Sequence, residues 1–196
     1  MYKKTIFLIL ILFSVANFVF ADRVAVEYWI LHARGGIAYP LGDMANYVDM
    51  GYDFGLSVRK GFDAEISIGG GFSFVNMAYK DSSAPSPFNS NVLDIEVVYA
   101  PYLPDFFIWP YAKLALGLFM TTFVFAEPTG TPGEYTSKTK NDNAFGIILG
   151  GGINYPLSNI FAANIEILYN QVSLQGGLGD NYQFFTFNIG VVASIK

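Results

Sequence analysis

The sequence predicts an all-β fold: an eight-stranded antiparallel up-and-down transmembrane β-barrel with long extracellular loops and short periplasmic turns. Three observations predict it. Hydrophobicity alternates with a period of two in eight successive segments. The connections between these segments alternate between long and short, the habit of membrane barrels. In segment after segment, charged residues gather on one face while the other is built of Phe, Tyr, Leu, Ile and Val. Composition sets the bounds. With 17% aromatic and only 14% charged residues among 196, a disordered or nucleic-acid-binding chain is excluded. A hydrophobic fraction of 53% would suit a helical membrane protein, yet after residue 20 no run of roughly 18 uncharged apolar residues occurs. The formal net charge of -5 argues against a polyanionic partner, and the lack of Cys removes disulfides, thiol nucleophiles and thiolate metal sites together.

Residues 1–21 read as a secretory signal peptide. Lys3 and Lys4 form a basic start, Ile6 to Phe13 a continuous apolar stretch, and Val19-Phe20-Ala21 a cleavage signal, with Ser14-Val15-Ala16 as a second possible site. Cleavage after Ala21 leaves 175 residues with a net charge of -7, because 9 of the 11 basic residues remain against 16 acidic ones. Residues 22–196 are then one barrel domain. Export without cysteine points to a bacterial envelope rather than to a disulfide-stabilised secreted domain.

The expected strands are 26–39, 51–59, 64–77, 92–100, 111–125, 144–155, 161–172 and 183–195. The first carries His32 and Arg34 on its non-lipid face; Glu27 falls on the lipid face, but at the periplasmic start, where the cost is small. The second sets Tyr52, Phe54, Leu56 and Val58 against Asp53, Gly55, Ser57 and Arg59. In the third, Ile66, Ile68, Phe72 and Phe74 oppose Glu65, Ser67, Gly69, Gly71 and Ser73. The fourth opposes Leu93, Ile95, Val97 and Tyr99 to Asp94, Glu96 and Val98. The fifth places Lys113 inward, but Phe119, Phe123 and Phe125 also fall inward if Leu114, Leu116 and Leu118 face out, so a bulge near Thr121-Thr122 is expected to restore the alternation. Gly150-Gly151-Gly152 in the sixth, like Gly69-Gly70-Gly71, opens no helix, which fails the context of a phosphate loop and suits relief of crowding. The seventh puts Asn164 and Glu166 inward. The eighth has Phe185, Phe187, Ile189, Val191, Ala193 and Ile195 on one face and Thr186, Asn188, Gly190, Val192 and Ser194 on the other. No helix is expected after Ala21. Trp29, Trp109, Tyr39, Tyr52, Tyr99, Tyr155 and Tyr169 sit mostly towards strand ends, as interfacial girdles do.

A soluble carrier barrel needs an apolar interior and a polar outside, the reverse of this pattern. In a closed barrel every backbone polar group is satisfied internally, which the hydrocarbon layer demands. Eight strands enclose a space just wide enough to be filled by side chains, so a pore is not the default. The expected interior set is His32, Arg34, Asp53, Arg59, Glu65, Asp94, Glu96, Lys113 and Glu166, read as a structural ionic network because isolated buried charges cost several kcal/mol. A proton or ion path is the alternative use of the same residues.

The segment 35–43, Gly-Gly-Ile-Ala-Tyr-Pro-Leu-Gly-Asp, followed by Tyr47 and by Gly51-Tyr52-Asp53-Phe54-Gly55-Leu56, resembles the opening of the outer-membrane protein β-barrel family. That family includes opacity-type surface proteins and relatives of outer-membrane proteins A, X and W. The ending is similar to the family's terminal assembly signal, which implies that Phe187, Gly190, Val191, Ala193 and Ile195 are read by the barrel-insertion machinery. It departs from the pattern where Ala193 and Ile195 replace aromatics and Lys196 ends the chain. The resemblance implies an integral outer-membrane protein in contact with outer-membrane lipid and lipopolysaccharide, but no single activity.

Some barrels of this kind modify lipid A with a His, a Ser and a carboxylate. His32 is the sole His, no neighbouring Ser completes a compact triad, and the eighth strand has no His, so no catalytic residues are assigned. Asn141-Asp142-Asn143 lacks the spacing of a calcium loop, and neither metal nor cofactor is expected. The loops carry an acidic excess, with Asp43, Asp49, Asp81, Glu127, Glu134, Asp142 and Asp180 against Lys80, Lys138 and Lys140. Their third member, with Pro128, Gly130, Pro132 and Gly133, is turn-rich. The expectation is a monomer with a structural or surface-interaction role through those loops. Narrow passage of small or apolar solutes is the first alternative and lipid A modification the second.

Overall fold

The computed structural model describes residues 28–80, 87–101, 103, 107–128, 135–173 and 181–195. The expected signal peptide, Glu27, Asp81, Gly130, Pro132, Gly133, Glu134, Asp180 and Lys196 lie outside the described residues.

Eight strands close into one antiparallel barrel in sequence order: β1 (Tyr28–Leu41), β2 (Val48–Gly61), β3 (Ile66–Tyr79), β4 (Phe88–Tyr99), β5 (Trp109–Pro128), β6 (Tyr135–Pro156), β7 (Phe161–Val172) and β8 (Tyr182–Ile195). Closure comes from β1 against β8, in register from Trp29 opposite Ile195 to Leu41 opposite Gln183. With no free edge along that seam, the backbone polar groups of both strands are used within the barrel.

Local chemistry sets the turns. Between β2 and β3, Asp63 Oδ1 accepts hydrogen bonds from the amides of Glu65 (2.7 Å) and Ile66 (2.6 Å), a side-chain mimic of a backbone turn. Ser158 Oγ does the same between β6 and β7, accepting from Ile160 (3.2 Å) and Phe161 (3.0 Å). Beyond β1, Gly42 adopts φ +57°, a conformation that favours Gly. It leads into a single helical turn, α1 (Met44–Tyr47), absent from the sequence expectation. That helix is too short to show a period of 3.6. It is held from outside: Lys80 Nζ donates to Ala45 O (2.6 Å), and the Lys80 amide donates to Tyr47 O (3.0 Å).

Two further features differ from expectation. The ladder between β5 and β6 runs unbroken from Trp109 opposite Asn154 to Pro128 opposite Tyr135, so the bulge expected at Thr121-Thr122 is absent. The register irregularity lies in β2 instead, between Val48 and Gly51. The stretch expected as a loop at 127–143 is mostly strand. Because β4 pairs with β5 only as far as Thr122, and β7 with β6 only as far as Gly146, the β5–β6 hairpin projects past its neighbours.

The outside of the barrel is apolar. Leu56, Ile95, Leu116, Ile147, Ile165 and Ile189 are all exposed, Ile189 by 70%. Trp29, Tyr99 and Tyr155 ring the end at which β1 begins and β8 ends (the termini end), while Tyr39, Tyr52, Tyr169 and Phe185 lie towards the opposite, far end; Trp109, expected in the girdle, has the parity of Tyr111 and lines the mouth of the lumen instead. A band of this composition bounded by aromatic rings matches a bilayer of about 25 Å hydrocarbon height.

Candidate functional site

Period two drives every second side chain of each strand into the lumen, where the polar chemistry collects in tiers. The middle tier holds Arg34, Arg59 and Lys113 with Asp53, Asp94, Glu96 and Glu166, all buried. Arg34 spans two strands, its Nε 3.7 Å from Asp53 Oδ2 and its Nη1 3.3 Å from Glu166 Oε1. Glu96 is shared: Oε2 contacts Lys113 Nζ, and Oε1 lies 3.6 Å from Arg59 Nε. Opposed charges at such separations offset the desolvation that each would suffer alone. Asp94 stands apart, with Oδ1 buried and no hydrogen-bond partner among the described residues.

Room for this cluster is made by missing side chains. A Cβ at Gly55 would lie 2.8 Å from Arg34 Nε, and one at Gly71 would lie 2.9 Å from Asp94 Oδ1. Beside the ion pairs runs a hydrogen-bonded string. His32 Nε2 lies 3.1 Å from Asn164 Oδ1, and Asn164 Nδ2 donates to Tyr111 OH (3.1 Å) and to Asn154 Oδ1 (2.8 Å). Tyr111 OH in turn donates to Glu166 Oε2 at 2.8 Å.

Of the interior set read from the sequence, Arg34, Asp53 and Glu166 meet in one group, and Arg59, Glu96 and Lys113 in another. His32 joins the first through Asn164 and Tyr111. Glu65 lies in the turn before β3, half-buried, on the wall of a cavity at the termini end. The sequence reading missed Tyr111, although it has the same parity in β5 as Lys113. Ser57, which the sequence reading did not set beside His32, is in register with it on the neighbouring strand, and among the described residues no hydrogen bond joins them.

Towards the far end the lumen turns apolar. Phe88, Phe119, Phe123 and Phe184 are fully buried there with Met77, Ile148 and Leu168, and Met44 of α1 packs onto the same cluster. Tyr182 meets Phe88 edge-on at 5.5 Å and Phe119 at 6.3 Å, and its hydroxyl lies 2.7 Å from Thr121 Oγ1. Thr121 reaches on to Ser90 Oγ at 2.9 Å. Phe119 and Phe123 are therefore part of an aromatic plug, and no interruption of the alternation is needed; the side chain of Phe125 lies outside the described residues. At the termini end, a cavity of about 400 Å³ opens between Tyr28, Arg59, Glu65, Trp109 and Tyr111.

In β8, Phe187, Val191 and Ile195 face outward and exposed, with Ala193 half-buried, while Gly190 packs against β1, where a Cβ would come 2.4 Å from Ala33 O.

No protein-family model matches the sequence, and no curated protein matches it. Solved structures do resemble the barrel. Neisserial surface protein A superposes with a TM-score of 0.54 at 13% identity, covering 85% of this chain and 96% of that one. The outer membrane protein OprG from Pseudomonas aeruginosa gives 0.55 at 13% identity over 88% and 98%. A major outer membrane protein from Thermus thermophilus gives 0.52 at 10% over 85% and 99%. The fold is that of the small outer-membrane β-barrels. Nearly the whole of each related barrel is spanned, so likeness extends to the complete strand set rather than to one hairpin. At these identities it concerns architecture alone.

Proposed function

We propose that this protein is an integral outer-membrane barrel of a bacterial envelope, exported by a signal peptide cleaved after Ala21, that works as a monomer through its far end rather than through its lumen. The termini end faces the periplasm and the far end the cell exterior, among lipopolysaccharide. Insertion is by the barrel-assembly machinery, with Phe187, Gly190, Val191, Ala193 and Ile195 as its signal. The role is structural or surface-interactive, without catalysis. One observation carries this reading: the lumen is filled first by the ionic tier and then by the aromatic plug, while the β5–β6 hairpin extends beyond the rim. A filled barrel leaves its ends to meet partners, and loops and hairpins on rigid scaffolds often bind.

Because the sequence has no Cys, the orientation is cleanly testable. An Asn141→Cys variant should react with a membrane-impermeant thiol reagent on intact cells, whereas Ser158→Cys should react only after the envelope is opened; the reverse pattern would overturn the orientation. Cells displaying the protein should attach to surfaces or to one another better than cells displaying a version with residues 126–137 replaced by Asn-Gly. Equal attachment would remove the hairpin from the role.

A further inference from the structure

We propose that the cavity at the termini end is a binding site for a small amphipathic monocarboxylic acid, its carboxylate seated on Arg59 and its hydrocarbon part against the apolar wall. This goes beyond the surface role and does not depend on it. The cavity measures about 400 Å³, at the small end of ligand-pocket volumes. Ile30, Val98, Leu103 and Trp109 supply apolar wall.

Arg59 lines the same space and is 4% exposed. Its Nε faces Glu96 Oε1, and its Nη1 is buried without a hydrogen-bond partner among the described residues. Glu96 lies 3.6 Å from Arg59 and is in closer contact with Lys113. Two cations thus share one carboxylate, so the Arg59 charge at the edge of the cavity is only partly matched. The planar fork of the guanidinium suits a bidentate carboxylate. Glu65 on the same wall disfavours a second negative charge, which selects a monoanion over a phosphate. A second cavity under the β6–β7 turn shares Trp109, Ala162 and Ser194 with the first, giving a route to the rim.

The test uses the full chain, folded in detergent, carrying Trp29→Phe so that the fluorescence reports Trp109. Octanoate should produce a saturable change, and octanol, the neutral analogue, should bind at least about tenfold more weakly, the scale of a lost charge-assisted hydrogen bond. Arg59→Gln should weaken octanoate to the level of octanol, and Ala162→Leu, which fills the space, should abolish saturation. Equal, unsaturable partitioning of both probes would overturn the proposal, as would undiminished octanoate binding by a folded Arg59→Gln protein. If Arg59→Gln does not fold, Ala162→Leu decides alone, and unchanged binding by it overturns the proposal.

Discussion

Glu96 and Asp94 are two residues apart on one face of β4 and carry the same charge, but differ in their ion pairing. Glu96 makes ion pairs with two cations, whereas Asp94 makes none among the described residues. Removing Glu96 leaves Lys113 and Arg59 uncompensated in a dry interior, so Glu96→Ala should lower the unfolding free energy by about 3–5 kcal/mol. Asp94→Asn removes a buried charge that has no ion pair among the described residues to offset its desolvation, and should be neutral or stabilising. Urea unfolding in detergent compares the two, and an unchanged midpoint for Glu96→Ala would mean that the cluster is not a stabilising network. At this scale the sequence is informative about direction and silent about pairing. Parity placed Arg34, Asp53, Arg59, Asp94, Glu96, Lys113 and Glu166 inward, because a strand sends alternate side chains to opposite faces. Which of them touch depends on the register between strands, which no single strand encodes. The join from His32 through Asn164 and Tyr111 to Glu166 crosses β1, β7 and β5 and could be seen only once the barrel closed.

At the scale of elements, β5 is the instructive case. Its inward phenylalanines contradicted the notion of a uniformly polar lumen, and the expected bulge was a device to remove them. The unbroken ladder keeps Phe119 and Phe123 inside, where they complete the plug. Phe119→Ala should therefore cost about 3–5 kcal/mol, the usual range for a buried aromatic, again read by urea unfolding; a loss below about 1 kcal/mol would mean that the far lumen is loosely filled. The hairpin beyond residue 125 is the converse. Its ladder, from Ala126 opposite Ser137 to Pro128 opposite Tyr135, pairs with no third strand among the described residues. Replacing 126–137 by Asn-Gly, a pair suited to a tight hairpin turn, should shift stability by no more than about 0.5 kcal/mol. A large loss would make the hairpin part of the folding unit. This extension was hidden in the sequence for a physical reason: past the apolar band neither face of a strand has to be greasy, so period two disappears while the ladder continues. The turn α1 was hidden because four residues are too few for helical periodicity.

The whole molecule poses one thermodynamic question, namely what solvent its outside requires. Phe145, Ile95, Leu116 and Ile189 are each exposed by 65% or more, in company with Leu56, Ile147 and Ile165 on strands around the barrel. Continuous apolar surface of this kind far exceeds the patch that a soluble monomer tolerates, yet it is what hydrocarbon favours. The inside, by contrast, is filled across two successive tiers of unlike chemistry. The ionic tier holds fixed charges of both signs, and in the aromatic plug the hydroxyls of Ser90, Thr121 and Tyr182 are already hydrogen-bonded to one another, which leaves an ion little to replace its water. These two facts together predict one pattern of behaviour. The detergent-folded protein should migrate differently on a gel before and after boiling, since a closed ladder resists SDS until heated. The same preparation, reconstituted in a planar bilayer, should insert without conductance steps, because an ion would have to cross the phenylalanine layer unsolvated, at a cost of several kcal/mol or more. A heat shift with regular steps would keep the barrel but require the plug to move aside, returning the narrow-passage alternative to the front. Absence of a shift, with the protein soluble in the periplasm, would mean that the apolar face is covered by something other than lipid.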